Sequence, residues 1–221
     1  MNDKVMIAIP IYDGAYEYLD EFIAGLRAID YDNFDVMFSV NGNSKKIVKK
    51  IKELMPTLDF LWSIHETKKG KDAHQSIYNS MKQLRKVFLG VGDYDWMLVL
   101  EADIVPYPDI LKEFVEARYP VMGCPYKLSD KMMMINIFTP WGRNENIKIK
   151  DYNSNYINQL YVRVWSCGFG WTIIKNWVIK KVPFRLSEEG KCVDTAFAED
   201  MVKNDITVYC KMDREAKHLR V

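Results

Sequence analysis

Cysteine, histidine and any surplus of charge are scarce in this chain of 221 residues. Its four cysteines, Cys124, Cys167, Cys192 and Cys210, stand far apart with no paired short spacing. That disfavours a zinc site and gives no reason for disulfides, so reduced packing thiols are expected. Lys and Arg total 31 against 30 Asp and Glu, with the basic residues scattered. Such a balance carries no electrostatic footprint for nucleic acid or an anionic membrane. No apolar run approaches a bilayer-spanning length, and the opening "MNDKVMIAIP" lacks the apolar core and cleavage site of a secretory signal. The expectation is a soluble, cytoplasmic protein with no transmembrane segment and a small-molecule partner. There is no internal repeat and no low-complexity segment.

What the chain does contain is alternation. "KVMIAIPI" and "FDVMFSV" are short apolar runs, and between them Leu19, Phe22, Ile23, Leu26 and Ile29 fall at helical spacing. A helix near 44–54, a strand in "LDFLWSI" and a helix carrying Ile77, Met81, Leu84 and Phe88 come next. The strand "WMLVL", a helix with Ile110, Leu111, Phe114 and Val115, and the strand "YPVMGCPY" continue the pattern. Repeated βα units predict an α/β fold with a mostly parallel central sheet flanked by helices, and ligands at the carboxyl ends of its strands. Beyond about residue 125 the pattern changes to a smaller, mixed sheet. Strand candidates "MMMINIF", "YVRVWSCGF" and "ITVYCKM" alternate with helical stretches near 173–181 and 194–203, and 139–158 reads as a polar loop.

The strand "WMLVL" runs into "EADIVPYP", which puts Glu101 and Asp103 at its mouth. Helix capping does not account for them, because Pro106 and Pro108 postpone the next helix to about residue 108. Two carboxylates at the end of a buried strand repel each other and lose hydration, so they call for a cation or a hydrogen-bonded ligand. Oxygen ligands of this hardness suit Mg²⁺ or Mn²⁺ with open positions for phosphate oxygens.

"EADIVPYP" resembles the DxD segment of GT-A glycosyltransferases, in particular the inverting family 2 type. Further motifs follow in the family's order. "IAIPIYDG" is similar to its first strand, with Asp13 where Asn is common; "VNGNS" sits where an Asp usually contacts the base, here Asn41; "KKGKDA" is similar to the basic turn before the DxD strand. The resemblance implies a GT-A, Rossmann-like domain over 1–221, with a nucleotide-sugar half to about 125 and an acceptor half from about 126. It implies donor contacts at Pro10, Tyr12, Asp13, Asn41, Lys71, Glu101, Ala102 and Asp103. Asp103 is the implied direct metal ligand, and Glu101 reaches the ribose or the metal's water shell.

The back half resembles the family's E-D-x-x-F segment at "VDTAF", in which the Asp opening a helix is the catalytic base and a later His joins the metal. Asp194 and His218 match that spacing, although Val193 replaces the usual Glu; Glu199 and Asp200 are reserve candidates for the base. "VWSCGFGWTI" resembles the acceptor strand, with Gly168 and Gly170 admitting a sugar to the backbone and Trp165 and Trp171 offering flat faces. The implied activity is transfer of a sugar from a nucleotide-diphosphate sugar, with UDP slightly preferred over GDP, to a hydroxyl of a glycan or other acceptor. Mn²⁺ or Mg²⁺ would be held by Asp103, His218 and Glu101. A retaining transferase, a sugar-nucleotide pyrophosphorylase and an inactive carbohydrate-binding module of the same fold are the alternatives.

Overall fold

The structure, a computed structural model, describes residues 2–42, 44–56, 60–138, 144–156, 158–188 and 192–220, without the side chains of 136–138 and 144–147. In chain order, β1 (Val5–Ile11), α1 (Leu19–Arg27), β2 (Phe34–Asn41), α2 (Lys45–Leu54), β3 (Trp62–Thr67), α3 (Ala73–Val91) and β4 (Trp96–Leu100) follow the expected alternation. A 3₁₀ turn at Asp13–Tyr18 joins β1 to α1. After them come β5 (Ile104–Val105), α4 (Ile110–Ala117) and β6 (Val121–Gly123), and then β7 (Lys127–Ser129), β8 (Met132–Phe138) and β9 (Asn144–Lys148). The chain continues with α5 (Ile149–Asn155), β10 (Tyr161–Val164), β11 (Trp171–Lys175) and α6 (Asn176–Lys181), and ends with α7 (Val193–Lys203), β12 (Val208–Lys211) and β13 (Lys217–His218).

The main sheet has eight strands in the order β10-β12-β6-β11-β4-β1-β2-β3. β11 is antiparallel to both of its neighbours and β10 is antiparallel to β12; the other neighbours are parallel. Period-two alternation fills both faces. Along β1, Val5, Ile7, Ile9 and Ile11 join the core under α1, α2 and α4, while Met6 and Ala8 join the core under α3, α6 and α7. Helix α1 buries Leu19, Phe22, Ile23 and Leu26 on the face that its spacing predicts. Helix α3 begins where Asp72 accepts the Gln75 backbone N–H at 2.8 Å, an ordinary N-cap. β7, β8 and β9 form a separate antiparallel sheet. No disulfide joins the cysteines, and Cys124, Cys167 and Cys210 are buried, as expected for packing thiols. Among the described residues no helix is long and apolar enough to cross a membrane.

Two sequence expectations are corrected here. Residues 139–143 and 157 of the expected loop lie outside the described residues, but 144–148 form β9 and 149–155 form α5. Tyr152 of α5 is buried, and its hydroxyl donates to the Met212 carbonyl at 2.6 Å, so this polar stretch is packed into regular structure. Residues 173–175, read as the start of a helix, instead complete strand β11, paired with β4 and β6, and the helix α6 begins at Asn176. A short apolar run without periodicity carries no signal that separates strand from buried helix.

Strand β11 also removes Trp171 from the acceptor surface. Its side chain is fully buried, with ring centroids 4.9 Å from Tyr107 and 6.3 Å from Phe114, and its indole N–H is buried without a partner. It is a core residue. Trp171→Ala is expected to lower stability by about 3–5 kcal/mol through the cavity it leaves. Trp171→Phe, which keeps a ring and removes the unpaired N–H, should cost much less. Urea unfolding midpoints of the two variants check this.

Candidate active site

The parallel strands β1, β2 and β4 all end on one side of the sheet, and their carboxyl ends meet the first turn of α3. A cleft of about 570 Å³ opens there. It brings together every donor-side residue expected from the sequence: Pro10, Tyr12 and Asp13 from β1 and its exit, Asn41 from the end of β2, Lys71 from the turn before α3, and Glu101, Ala102 and Asp103 after β4. Lys69 and Arg220 also line it and were not anticipated. A larger groove, about 780 Å³, runs along the outer side of α3 past Lys68, Lys82, Arg85 and Lys86, with Glu66 its one acidic lining residue. The strand-end cleft is where unlike polar groups converge, the usual mark of a ligand site.

Several of these side chains are fixed by neighbours. Asn41 donates its amide to the Ser76 carbonyl at 2.8 Å, which ties the end of β2 to α3. Asp13 accepts from the Ser44 hydroxyl. The Glu101 backbone N–H donates to the Gly170 carbonyl at 3.0 Å, and the Ile104 N–H donates to the Glu101 carbonyl at 3.0 Å, closing a turn. That turn swings Asp103 back into the cleft.

Asp103 is buried, and His218 and Arg220 reach it from the far end of the chain. β13 pairs with β5 so that His218 lies opposite Ile104, and the Leu219 N–H donates to the Asp103 carbonyl at 2.8 Å. Asp103 Oδ2 then lies 2.7 Å from Arg220 Nε and 3.6 Å from His218 Nε2, while Oδ1 is buried with no hydrogen-bond partner. His218 Nδ1 is 2.6 Å from the Lys127 carbonyl. Because a carbonyl only accepts, Nδ1 carries the proton, and Nε2 is the nitrogen that faces Asp103. The carboxylate of Asp103 pushes the imidazole pKa up against the opposing effect of burial.

Glu101 is held as an acid. Burial first, then the nearby charges of Asp103 and Asp194, push its carboxyl up to about 8, with His218 opposing. Asp194 stands in the first turn of α7, with Oδ1 accepting the Thr195 N–H at 2.8 Å. Burial raises its pKa, whereas the N–H groups of Thr195 and of Asp194 itself lower it. Its field is felt at Glu101 and at Tyr126. Asp194 is not among the residues that line the strand-end cleft; it lines a separate small hollow with Trp165 and Gly168.

The reserve base candidates serve a structural purpose. Arg185 donates to Glu199 at 2.9 Å and to both oxygens of Asp200 at 2.7 and 2.8 Å, fastening the segment before α7 to its helix. Gly168 and Gly170 do not leave room for a sugar. A Cβ on Gly170 would lie 2.4 Å from the Tyr126 ring, and one on Gly168, which has φ +69°, would lie 2.8 Å from the Tyr126 hydroxyl. The space the acceptor was expected to enter holds Tyr126, whose hydroxyl accepts the Gly170 N–H at 3.2 Å and whose ring meets His218 edge-on at 5.6 Å. Tyr126 sits in an unremarkable "CPYKL", and nothing in that string signals its position. Trp165 is half-buried and shares a small hollow with Asp194.

No protein-family model and no curated protein sequence matches the chain. Solved structures do. A197 from STIV superposes with a TM-score of 0.56 at 16% identity, covering 97% of this chain and 85% of that one. S. aureus TarS 1-349 in complex with UDP-GlcNAc superposes with a TM-score of 0.61 at 12% identity over 96% of this chain, and its complex with UDP with 0.59 at 15%. The chain has the GT-A fold. It spans 57–59% of the length of the TarS 1-349 chains.

The Glu101 environment has a thermodynamic signature. Folded Glu101 keeps its proton to about pH 8, against 4.5 for an unperturbed glutamate. Between those values the folded state binds the extra proton, so stability falls as pH rises through the window. In chelator-treated protein, Glu101→Gln should remove this part of the slope, and its melting temperature relative to wild type should rise from pH 5 to pH 8. A constant difference across that range would contradict the assignment.

Proposed function

We propose that the protein is an inverting glycosyltransferase that moves a sugar from a nucleotide-diphosphate sugar, with UDP slightly preferred over GDP, to an acceptor hydroxyl. The observation that carries this reading is Asp103, a buried carboxylate with one unpartnered oxygen, facing His218 Nε2 in a cleft at the carboxyl ends of the parallel strands. Residues 1–125 would bind the donor, and 126–221 would form the acceptor side and return His218 to the cleft.

The donor set fits a small divalent cation. Mg²⁺ and Mn²⁺ keep several waters and take one or two protein ligands together with substrate phosphates. Among the described residues no group of three or more acidic, histidine or cysteine side chains is poised to hold a metal, and a cation that arrives with the donor requires none. Asp103 Oδ1 and His218 Nε2 would hold it. Such an ion supplies positive charge to the departing diphosphate.

The remaining steps belong to the chain itself. Lys71 and the first turn of α3 offer positive charge to the phosphates. Asn41 and Asp13 lie along the part of the cleft open to a base, and Glu101, neutral near pH 7, can donate to a ribose hydroxyl without adding to the charge of Asp103. Asp194 takes the proton of the acceptor hydroxyl, whose oxygen bonds to the anomeric carbon as the bond to the diphosphate oxygen breaks on the opposite face. A carboxyl raised by burial is a better base than a solvated one, because its pKa lies nearer the working pH. Trp165, beside Asp194, is the remaining candidate for an acceptor contact.

Calorimetry of UDP with and without Mn²⁺ tests the donor site. Asp103→Ala should abolish the Mn²⁺-dependent part of the affinity, and undiminished binding would remove the metal assignment. Asp194→Asn should bind UDP as the wild type does and lose turnover of a UDP-sugar by about 10²–10⁴-fold, the range typical of a lost general base. Turnover close to that of wild type would reject Asp194 as the base.

A further inference from the structure

Among the described residues, Arg220 and, when protonated, His218 form ion pairs with the carboxylate on which the donor reading rests. Arg220 Nε lies 2.7 Å from Asp103 Oδ2, and the guanidinium stands over the Tyr12 ring at 5.0 Å. The same residue lines the cleft together with Lys69 and Lys71. The carboxylate it touches is only 7% exposed, whereas the Arg220 side chain is 38% exposed. The anchor is therefore fixed and the guanidinium has room to move. The other partner, His218, stands 3.6 Å from the same oxygen and is held from behind by the Lys127 carbonyl.

A buried carboxylate cannot stay ionised without a partner, and Arg220 supplies that partner in the donor-free protein. A divalent cation drawn to Asp103 would then meet a guanidinium already on one oxygen, and two cations sharing one buried carboxylate repel strongly at low effective dielectric. A guanidinium displaced from Asp103 toward the cleft finds its best anion in a diphosphate, which its planar fork matches in two parallel bonds.

We propose that Arg220 is an exchangeable counter-ion: it occupies Asp103 before the donor arrives, resists binding of metal alone, and moves to the donor's diphosphate when cation and nucleotide enter together. This rests on the donor reading given above. Arg220 is a positioning and specificity residue in this scheme. It opposes metal binding to the free protein and favours nucleotide binding, so its removal shifts the two affinities in opposite directions. A residue that merely supported the fold would shift both the same way.

The test uses the full chain and two probes, Mn²⁺ alone and UDP at saturating Mn²⁺. Free Mn²⁺ is read by its electron paramagnetic resonance signal, and UDP by calorimetry. In Arg220→Gln, affinity for Mn²⁺ alone should rise and affinity for UDP should fall, each by at least about fivefold, the lower end of typical coupling between sites. Unchanged or weakened Mn²⁺ binding in that variant, with UDP still binding to wild type, would overturn the counter-ion proposal and leave the donor reading in place. Failure of the wild type to bind UDP at all would remove both. Should Arg220→Gln fail to fold by circular dichroism, Arg220→Lys is read instead. Its ammonium keeps the charge on Asp103 but lacks the fork, so Mn²⁺ alone should bind as in wild type while UDP affinity falls at least about fivefold. Wild-type UDP affinity in the lysine variant would overturn the proposal.

Discussion

The arrangement of the cleft depends on one buried carboxylate and the backbone that brings its partners to it. Asp103 lies in a turn that the Glu101 carbonyl closes by accepting the Ile104 N–H, and a second pairing, between β5 and β13, delivers His218 and Arg220 from more than a hundred residues away. An ionised side chain at 5% exposure is tolerated only with compensation. The compensation here is a guanidinium at 2.7 Å and an imidazole at 3.6 Å on one oxygen, with the other oxygen left over. The sheet supplies rigid strand ends, and two residue pairs of β5–β13 ladder supply the charges.

Around that carboxylate the acids are kept apart in protonation as well as in space. Glu101 is two residues from Asp103 and lies in the field of Asp194, so three ionised carboxylates would repel one another in poorly hydrated surroundings. The result is a graded set. Asp103 has Arg220 and His218 as neighbours, Glu101 is pushed up to about 8 and holds its proton, and Asp194 is raised by burial while helix N–H groups oppose the shift.

How much of this was legible in the sequence varies with the kind of signal. Helix α1 announced itself through apolar spacing because one face is buried, and strand β1 as a continuous apolar run because both of its faces are. The eight positions expected at a donor site came from motif order, and one cleft gathers all of them. Strand β11 was legible only to Ile173, where the sequence reading turned to helix, and the β5–β13 pair, two residues long, was not legible at all. Arg220 escaped for the same reason, since its placement follows from that pairing and not from "HLRV" itself. Trp171, Gly168 and Gly170 were assigned to an acceptor from the resemblance of their motif, whereas Tyr126 and the aromatic cluster around Tyr107 had already taken that space. A motif can suggest that a ring or a glycine will face a ligand, but only packing decides which neighbour arrives first.

Strand β11 runs antiparallel between β4 and β6, and the residue just before it, Gly170, accepts the backbone N–H of Glu101. The same Gly170 donates its own N–H to Tyr126, which leans on His218. The floor of the cleft and its rear wall are therefore parts of one hydrogen-bonded frame, so a bulky substitution in the 168–170 corner would transmit its displacement simultaneously to an acid after β4 and to the imidazole on β13. Mechanical tolerance in that corner is set by a phenol ring, one contact away from Glu101 through Gly170 and one contact away from His218.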